Sequence, residues 1–482
     1  MQFNSYIFIL LFLPVFIIGY FLSNKIHFQI GKIFIIAAGI AFYMYAGLGA
    51  SVIFGVSILF NYIASFFISM IKKHKKVLLI LSVTINIGLL FYYKYYNFFI
   101  SSINKSLIKE FAVKDLILPL GISFFTFQQI MYLVSVYKKE IERTVLIDYL
   151  SYILYFPKLI MGPLVEPKFF IDQLNDRNNK KIQWNNIAYG LRIFSYGLFK
   201  KMILADTFSR AVAWGYSNIA DTTSADLFLI MLFYTFEIYF DFSGYTDMAI
   251  GISTMINISL PMNFDSPYKA LSIRDFWKRW HMSLTGFLTK YIYFPLGGSK
   301  KGTVRTYVNI MIVFLVSGLW HGANWTFILW GFIHGILQII ERIFNKTCNK
   351  VFIVVRWAFT FFAVNILWLL FRSESITQWG GMLTKMFSFQ NMAISNGLID
   401  SFTLPETSFI FDQLHLAGLN STVRGFGMII FILFAFLVCL LPENNYRTMN
   451  KTTIFNAVIS AVAFCWAFLC LSSESVFVYF NF

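Results

Sequence analysis

His281 and His321 are the residues whose surroundings point most directly to chemistry. Both fall between Asn263 and Trp330, a stretch rich in tryptophan, glycine and basic side chains. His321 lies in SGLWHGANWT, inside an apolar run of membrane length. Ionisable groups are costly in that setting and are functional candidates by default. Imidazole exchanges a proton near neutral pH, so it suits general-base work. Trp320 and Asn324 are the candidate supports. Asn324 follows His321 by three residues, so on a continuous helix its amide would orient the imidazole. A structural histidine bonded between helices is the alternative. No His, Asp or Glu stands at ligand spacing, so no metal is expected. His334 falls on another face of a continuous helix and reads as a packing or interhelical hydrogen-bonding residue.

The segment RDFWKRWHMSLT at 274–285 alternates cations with tryptophans. As one helix it would place Trp277, His281 and Leu284 on one face and Arg274 and Lys278 on another. Such a helix suits the cytoplasmic membrane surface, tryptophans at headgroup level. Its cations also suit the phosphates of an acyl-CoA, and the candidate donor-binding residues are Lys278, Arg279 and Lys290. Glu237, Asp241 and Asp247 form a third group in FEIYFDFSGYTDMAIG. Buried carboxylates need partners, and Arg192, Arg274 or Arg279 are the candidates. A proton path through a transporter is the competing reading. Gly244 suggests a chain break just after the acidic pair.

These residues need a membrane to hold them. The chain is 58% hydrophobic and 13% charged, against roughly a quarter charged in soluble proteins. Recurrent apolar runs of about 18 residues or more predict an all-α polytopic membrane protein with about 11–14 helices, some re-entrant or interfacial. Expected spans are about 5–23, 30–47, 50–71, 77–100, 117–137, 146–163, 185–204, 225–243, 246–260, 306–320, 325–341, 351–371, 426–441 and 454–471. Residues 1–24 carry no charge, and read as the first span, not a cleaved signal. One membrane domain, 1–482, is expected. The net charge of +16 sits mainly in short loops, which favours the positive-inside rule over nucleic-acid binding. Lys72, Lys73, Lys75 and Lys76 mark a cytoplasmic loop, which places the N-terminus outside; Arg342, Lys346 and Lys350, and then Arg447 and Lys451, mark two more, which place 373–425 and the C-terminus outside. Four cysteines show no framework or metal spacing.

Several motifs occur in an order that resembles the membrane-bound O-acyltransferase family, in particular its bacterial branch for alginate and peptidoglycan O-acetylation. They are MQFNSYIFILLFLPV at 1–15, PLGISFFTFQ at 119–128, YFPKLIMGPLVEPKFF at 155–170, YGLFKKMILAD at 196–206 and YFDFSGYTDMAIG at 239–251. NFDSPY, RDFWKRWHMSLT, YIYFPLGGSKKG, SGLWHGANWTFILWG and a terminal VYFNF follow. The resemblance implies that His321 is the catalytic histidine and His281 the second active-site polar residue. Where many relatives carry Arg-Asp, this chain has Thr289-Lys290.

Taken with the resemblance, the expected activity is transfer of an acyl group, acetyl above all, from cytoplasmic acetyl-CoA to a hydroxyl of a cell-envelope or secreted polysaccharide. Acetyl-CoA is a substrate, and no bound cofactor is expected. The two histidines suggest a central tunnel open at both faces, in a bacterial inner-membrane protein. Membrane lipid surrounds it. The expected extracytoplasmic partner is an SGNH-type acetyltransferase, or the glycan itself, with 373–425 as its dock. A proton-coupled transporter or flippase for a glycan precursor, and a non-catalytic membrane anchor, are the competing classes.

Overall fold

The computed structural model describes every residue except 46, 72, 105–110, 117, 142–144, 345, 346, 348, 349, 405–412, 414–419, 442, 443, 445, 447–452, 473–476 and 478–482. Residues 405–412 and 414–419 of the expected dock, and the whole of the terminal VYFNF, therefore fall outside the described residues. The described chain is helical, with no strand. Seven helices are long and apolar enough to cross a membrane, and four more are apolar but shorter. At 1.5 Å per residue, helix Thr303–His321, with its 19 residues, is about 28 Å long, close to the thickness of a bilayer's hydrocarbon core.

Contacts divide the chain into two compact units. The first holds Met1–Gly197, Tyr245–Met262 and Thr452–Phe464. Its helices Phe8–Ile26 and Phe28–Met44 are separated by His27, whose backbone is extended and whose Nδ1 accepts from Gln29 N. Buried polar groups tie helices together, as expected where water is scarce. Asn61 and Asn86 exchange amide hydrogen bonds of 3.0 and 2.8 Å between Leu48–Met70 and Lys75–Asn104. Lys32 is ion-paired with Asp148 and also donates to Asn175. Helix Ile122–Tyr137 is buried on nearly every face, which fits its apolar character all round. The span expected at 146–163 is broken into Leu146–Ile153 and Phe156–Leu159, with Pro157 in the first turn of the second.

The second unit holds Leu198–Gly244, Asn263–Lys451 and Cys465–Phe482. Two spans expected at 225–243 and 246–260 are one helix, Ser224–Met255, of 32 residues. Gly244 does not break it, because it is buried inside continuous helix. Helices Thr303–His321 and Trp325–Ile343 pack back to back through glycine. A Cβ on Gly318 would stand 2.3 Å from Phe327 O, and one on Gly331 would stand 2.3 Å from Phe314 O. Side chains there would force the helices apart. Gly322 follows the helix end in extended conformation, with φ −165°, and a Cβ there would run into the Phe327 ring of the second helix.

Candidate active site

The turn that carries His281 is built by its neighbours. Helix Ile273–Arg279 starts where Ser272 Oγ accepts from Asp275 N at 3.0 Å. Glu341 completes that start by accepting from Ile273 N and Arg274 N. The helix stops at Trp280, and His281 adopts a left-handed backbone, φ 45° and ψ 52°, before Met282–Leu288 begins. The single helix expected over 274–285 is thus two, and Trp277, His281 and Leu284 do not share a helical face. Left-handed backbone costs an L-residue about 1–2 kcal/mol. Asn263 holds the turn open: its O accepts from Met282 N at 3.0 Å and its Oδ1 from Ser283 N at 3.2 Å. Arg279 locks the same loop. Its Nε pairs with Asp275 at 3.0 Å, and its Nη1 donates to Asp265 O at 3.2 Å.

His281 is 1% exposed, and neither ring nitrogen has a hydrogen-bond partner among the described residues. Buried polar atoms are normally paired. Strained backbone and unpaired nitrogens at one residue are the marks of a functional position. The ring stands edge-on to Phe242 at 4.7 Å and to Trp320 at 6.0 Å between centroids. Burial pushes its pKa down to about 3, so the imidazole is neutral near pH 7.

His321 is the last residue of helix Thr303–His321 and is buried. Its ring meets Trp320 at 4.9 Å, Phe371 at 5.1 Å and Trp330 at 5.3 Å, each close to edge-on. The indole of Trp320 therefore touches both histidines, which stand 40 residues apart in the chain. A helix C-terminus carries the negative end of the macrodipole. It favours the positive charge an imidazole gains on taking a proton. The arrangement can thus accept a proton at His321 within an apolar, aromatic enclosure.

Asn324 is hydrogen-bonded away from His321. The helix ends first, and Asn324 caps the next one, its Oδ1 accepting from Thr326 N and its Nδ2 donating to Glu374 O. His334 is the hydrogen-bonding residue its position suggested: its Nδ1 accepts from Trp277 Nε1 at 3.2 Å.

The proposed donor cations separate. Lys278 lines a cavity of about 340 Å³, together with Arg274, Arg342, Trp277, Phe314 and Ser317. Ser317 lies one helical turn, about 6 Å, before His321. Trp277 meets Trp330 at 5.5 Å, and Trp330 meets His321. Arg279 is committed to Asp275 and Asp265, and Lys290 lies over Tyr291; neither lines that cavity. Arg342 lines the cavity as well. Its position one turn beyond Gln338, which also lines the cavity, becomes informative only once the helix is known to face it.

The acids also find an unexpected partner. Asp241 pairs with Lys201 at 2.8 Å, and Lys201 pairs with Asp206 at 2.9 Å. Lys201 and Asp206 are five residues apart across a π-turn, Lys200–Ala205, which brings them onto one face. No cluster of His, Cys, Asp or Glu among the described residues could hold a metal.

Comparison with known proteins agrees with this architecture. The model of the MBOAT, membrane-bound O-acyltransferase family, matches residues 35–374. The chain is 35% identical to the peptidoglycan O-acetyltransferase of Helicobacter pylori, over 100% of this chain and 97% of that one. It is 37% identical to the probable alginate O-acetylase AlgI of Pseudomonas putida, over 82% of each chain. A teichoic acid D-alanyltransferase of Streptococcus thermophilus is 27% identical over 48% of this chain and 59% of its own length. The chain belongs to the membrane-bound O-acyltransferase family and is a membrane-embedded acyltransferase.

Proposed function

We propose that the enzyme transfers an acetyl group from cytoplasmic acetyl-CoA to a hydroxyl of a cell-envelope polysaccharide. Peptidoglycan is the acceptor best supported, because the likeness to the Helicobacter pylori enzyme runs the full length of both chains. The observation that carries the mechanism is the pair of buried histidines on one indole, His281 strained and unpaired at both nitrogens. Neutral His321 takes the proton of the attacking hydroxyl as its oxygen bonds to the thioester carbonyl. The C–S bond then breaks, and the same proton passes to the leaving thiolate, giving an ester and free CoA. General-base catalysis of this kind contributes roughly 10²–10⁴-fold. His281, neutral and aimed by its turn, supplies a hydrogen bond to the oxyanion or to His321. Trp320 spaces the two rings. Lys278, with Arg274 and Arg342, offers charge to the donor's phosphates.

In this reading the protein lies in a bacterial inner membrane, both termini outside, and 373–425 receives an SGNH-type transferase or the glycan itself. The pairing of Asp241 and Asp206 with Lys201 supports a structural use of those acids over a transporter's proton path. The test is turnover of acetyl-labelled acetyl-CoA by purified enzyme with peptidoglycan fragments. Label should move to the glycan in wild type and fail to move in His321→Ala. Equal transfer by both proteins would remove His321 from the mechanism.

A further inference from the structure

A second cavity, of about 800 Å³, lies wholly in the first compact unit, apart from the histidines. One wall is apolar: Ile17, Ile18, Phe21 and Leu22, from the last turns of the span Phe8–Ile26, with Ile187 opposite. The rim carries Lys25, Arg177, Lys180 and Lys181, and no carboxylate among the described residues lines the cavity. None of the four cations has an ion-pair partner among the described residues. Asp176 and Asp148 act on Lys180 through their charge, but Asp148 pairs with Lys32 and Asp176 accepts from Asn178 N. Lys180 is the inner cation. It is half-buried, and its Nζ reaches Tyr20 OH at 3.2 Å. Burial, with Lys32 nearby, lowers its pKa to about 8. Trp184, 74% exposed, stands at the rim, as aromatic side chains do at headgroup level.

We propose that this groove binds an anionic glycerophospholipid. The headgroup phosphate sits among Arg177, Lys180 and Lys181, and one acyl chain lies along Ile18, Phe21 and Leu22. The fit is one of complementarity. An apolar channel that ends in unpaired cations matches an amphiphile with a charged head and a hydrocarbon tail. A bound phosphate would also offset the mutual repulsion of Lys32 and Lys180.

The test is native mass spectrometry of the full chain, with dioleoylphosphatidylglycerol and dioleoylphosphatidylcholine supplied in equal amounts. Wild type should retain the anionic lipid at least fivefold over the zwitterionic one. The triple variant Arg177→Ala, Lys180→Ala, Lys181→Ala should bring that ratio close to one. A charge-matched control, Lys73→Ala, Lys75→Ala, Lys76→Ala, should leave it unchanged. Equal loss in the control would mean general surface charge and would overturn the site. Retention in the groove variant would overturn it too, as would displacement of the lipid by millimolar glycerol phosphate, which marks a free-anion site. As a second readout that needs only single substitutions, brominated phosphatidylglycerol should quench a component of fluorescence that Trp184→Phe removes. Quenching unchanged by that substitution would place the lipid elsewhere.

Discussion

Two buried polar clusters in the second unit are built on opposite rules. Around Lys201 a single cation is matched by two carboxylates, Asp206 and Asp241, at 2.9 and 2.8 Å. Around Trp320 two imidazoles are enclosed by rings, and His281, on a left-handed backbone, finds no hydrogen-bond partner for either nitrogen among the described residues. Paired charge in an apolar surrounding is costly to break, so it holds the fold. Unmatched nitrogens leave room for a reacting partner, at a standing cost in stability. The difference separates what holds this protein together from what lets it act.

The sharpest way to break that contrast is to exchange the phenotypes. His321→Ala should lower turnover of acetyl-CoA by about 10²–10⁴-fold, with the melting temperature in detergent nearly unchanged. A large fall in melting temperature instead would make His321 part of the framework. Lys201→Met should do the reverse. It takes their shared cation from the buried Asp241 and the part-buried Asp206, which costs about 3–5 kcal/mol. Reduced yield and melting temperature are expected, and adding Asp241→Asn should restore part of both. An inactive but fully stable Lys201→Met would move the triad into the chemistry.

How much of this was legible in the residues depends on the range of the interaction. His321 stood out because one imidazole in an apolar run is conspicuous whatever the fold. The turn at His281 did not, because Arg274 to Thr285 has helical periodicity and nothing local ends it. The turn is held from outside the segment, by Asn263 and by Asp265 O, which accepts from Arg279. Lys201 was missed for a related reason. Across an α-helix a five-residue spacing points elsewhere, and only a π-turn puts Lys201 and Asp206 together. The close glycine contact of Gly318 with Gly331 joins two helices and has no local signature. The membrane class itself needed no tertiary information, because hydropathy and span length set it.

The strain at His281 can be measured apart from its ring. His281→Ala and His281→Gly both remove the imidazole, and both should cut turnover at least tenfold. Only glycine adopts φ 45° at little cost. The glycine variant should therefore be more stable than the alanine variant by about 1 kcal/mol. Equal stabilities would mean the turn relaxes once the ring is gone. Asn324 gives a comparably small effect with the opposite sense. As a helix cap, Asn324→Ala should cost about 1 kcal/mol and leave turnover at acetyl-CoA saturation unchanged. Loss of activity at full stability would return Asn324 to the site.

The smallest effect is the pH dependence that burial writes into His281. Its folded pKa is near 3, below the 6.5 of an exposed imidazole. Between those values the unfolded chain binds a proton that the folded chain refuses. Stability therefore rises with pH across that window and loses this dependence above 6.5, where both states are neutral. Replacing His281 with Asn, a residue tolerant of left-handed backbone, should flatten the melting temperature between pH 4 and 6.5 relative to wild type. The acidic limb of turnover should survive in any residual activity of that variant, because a group already neutral at pH 4 cannot produce it. A limb that vanishes with His281 would show that the imidazole is charged at work, and that substrate or water reaches nitrogens the protein leaves unpaired.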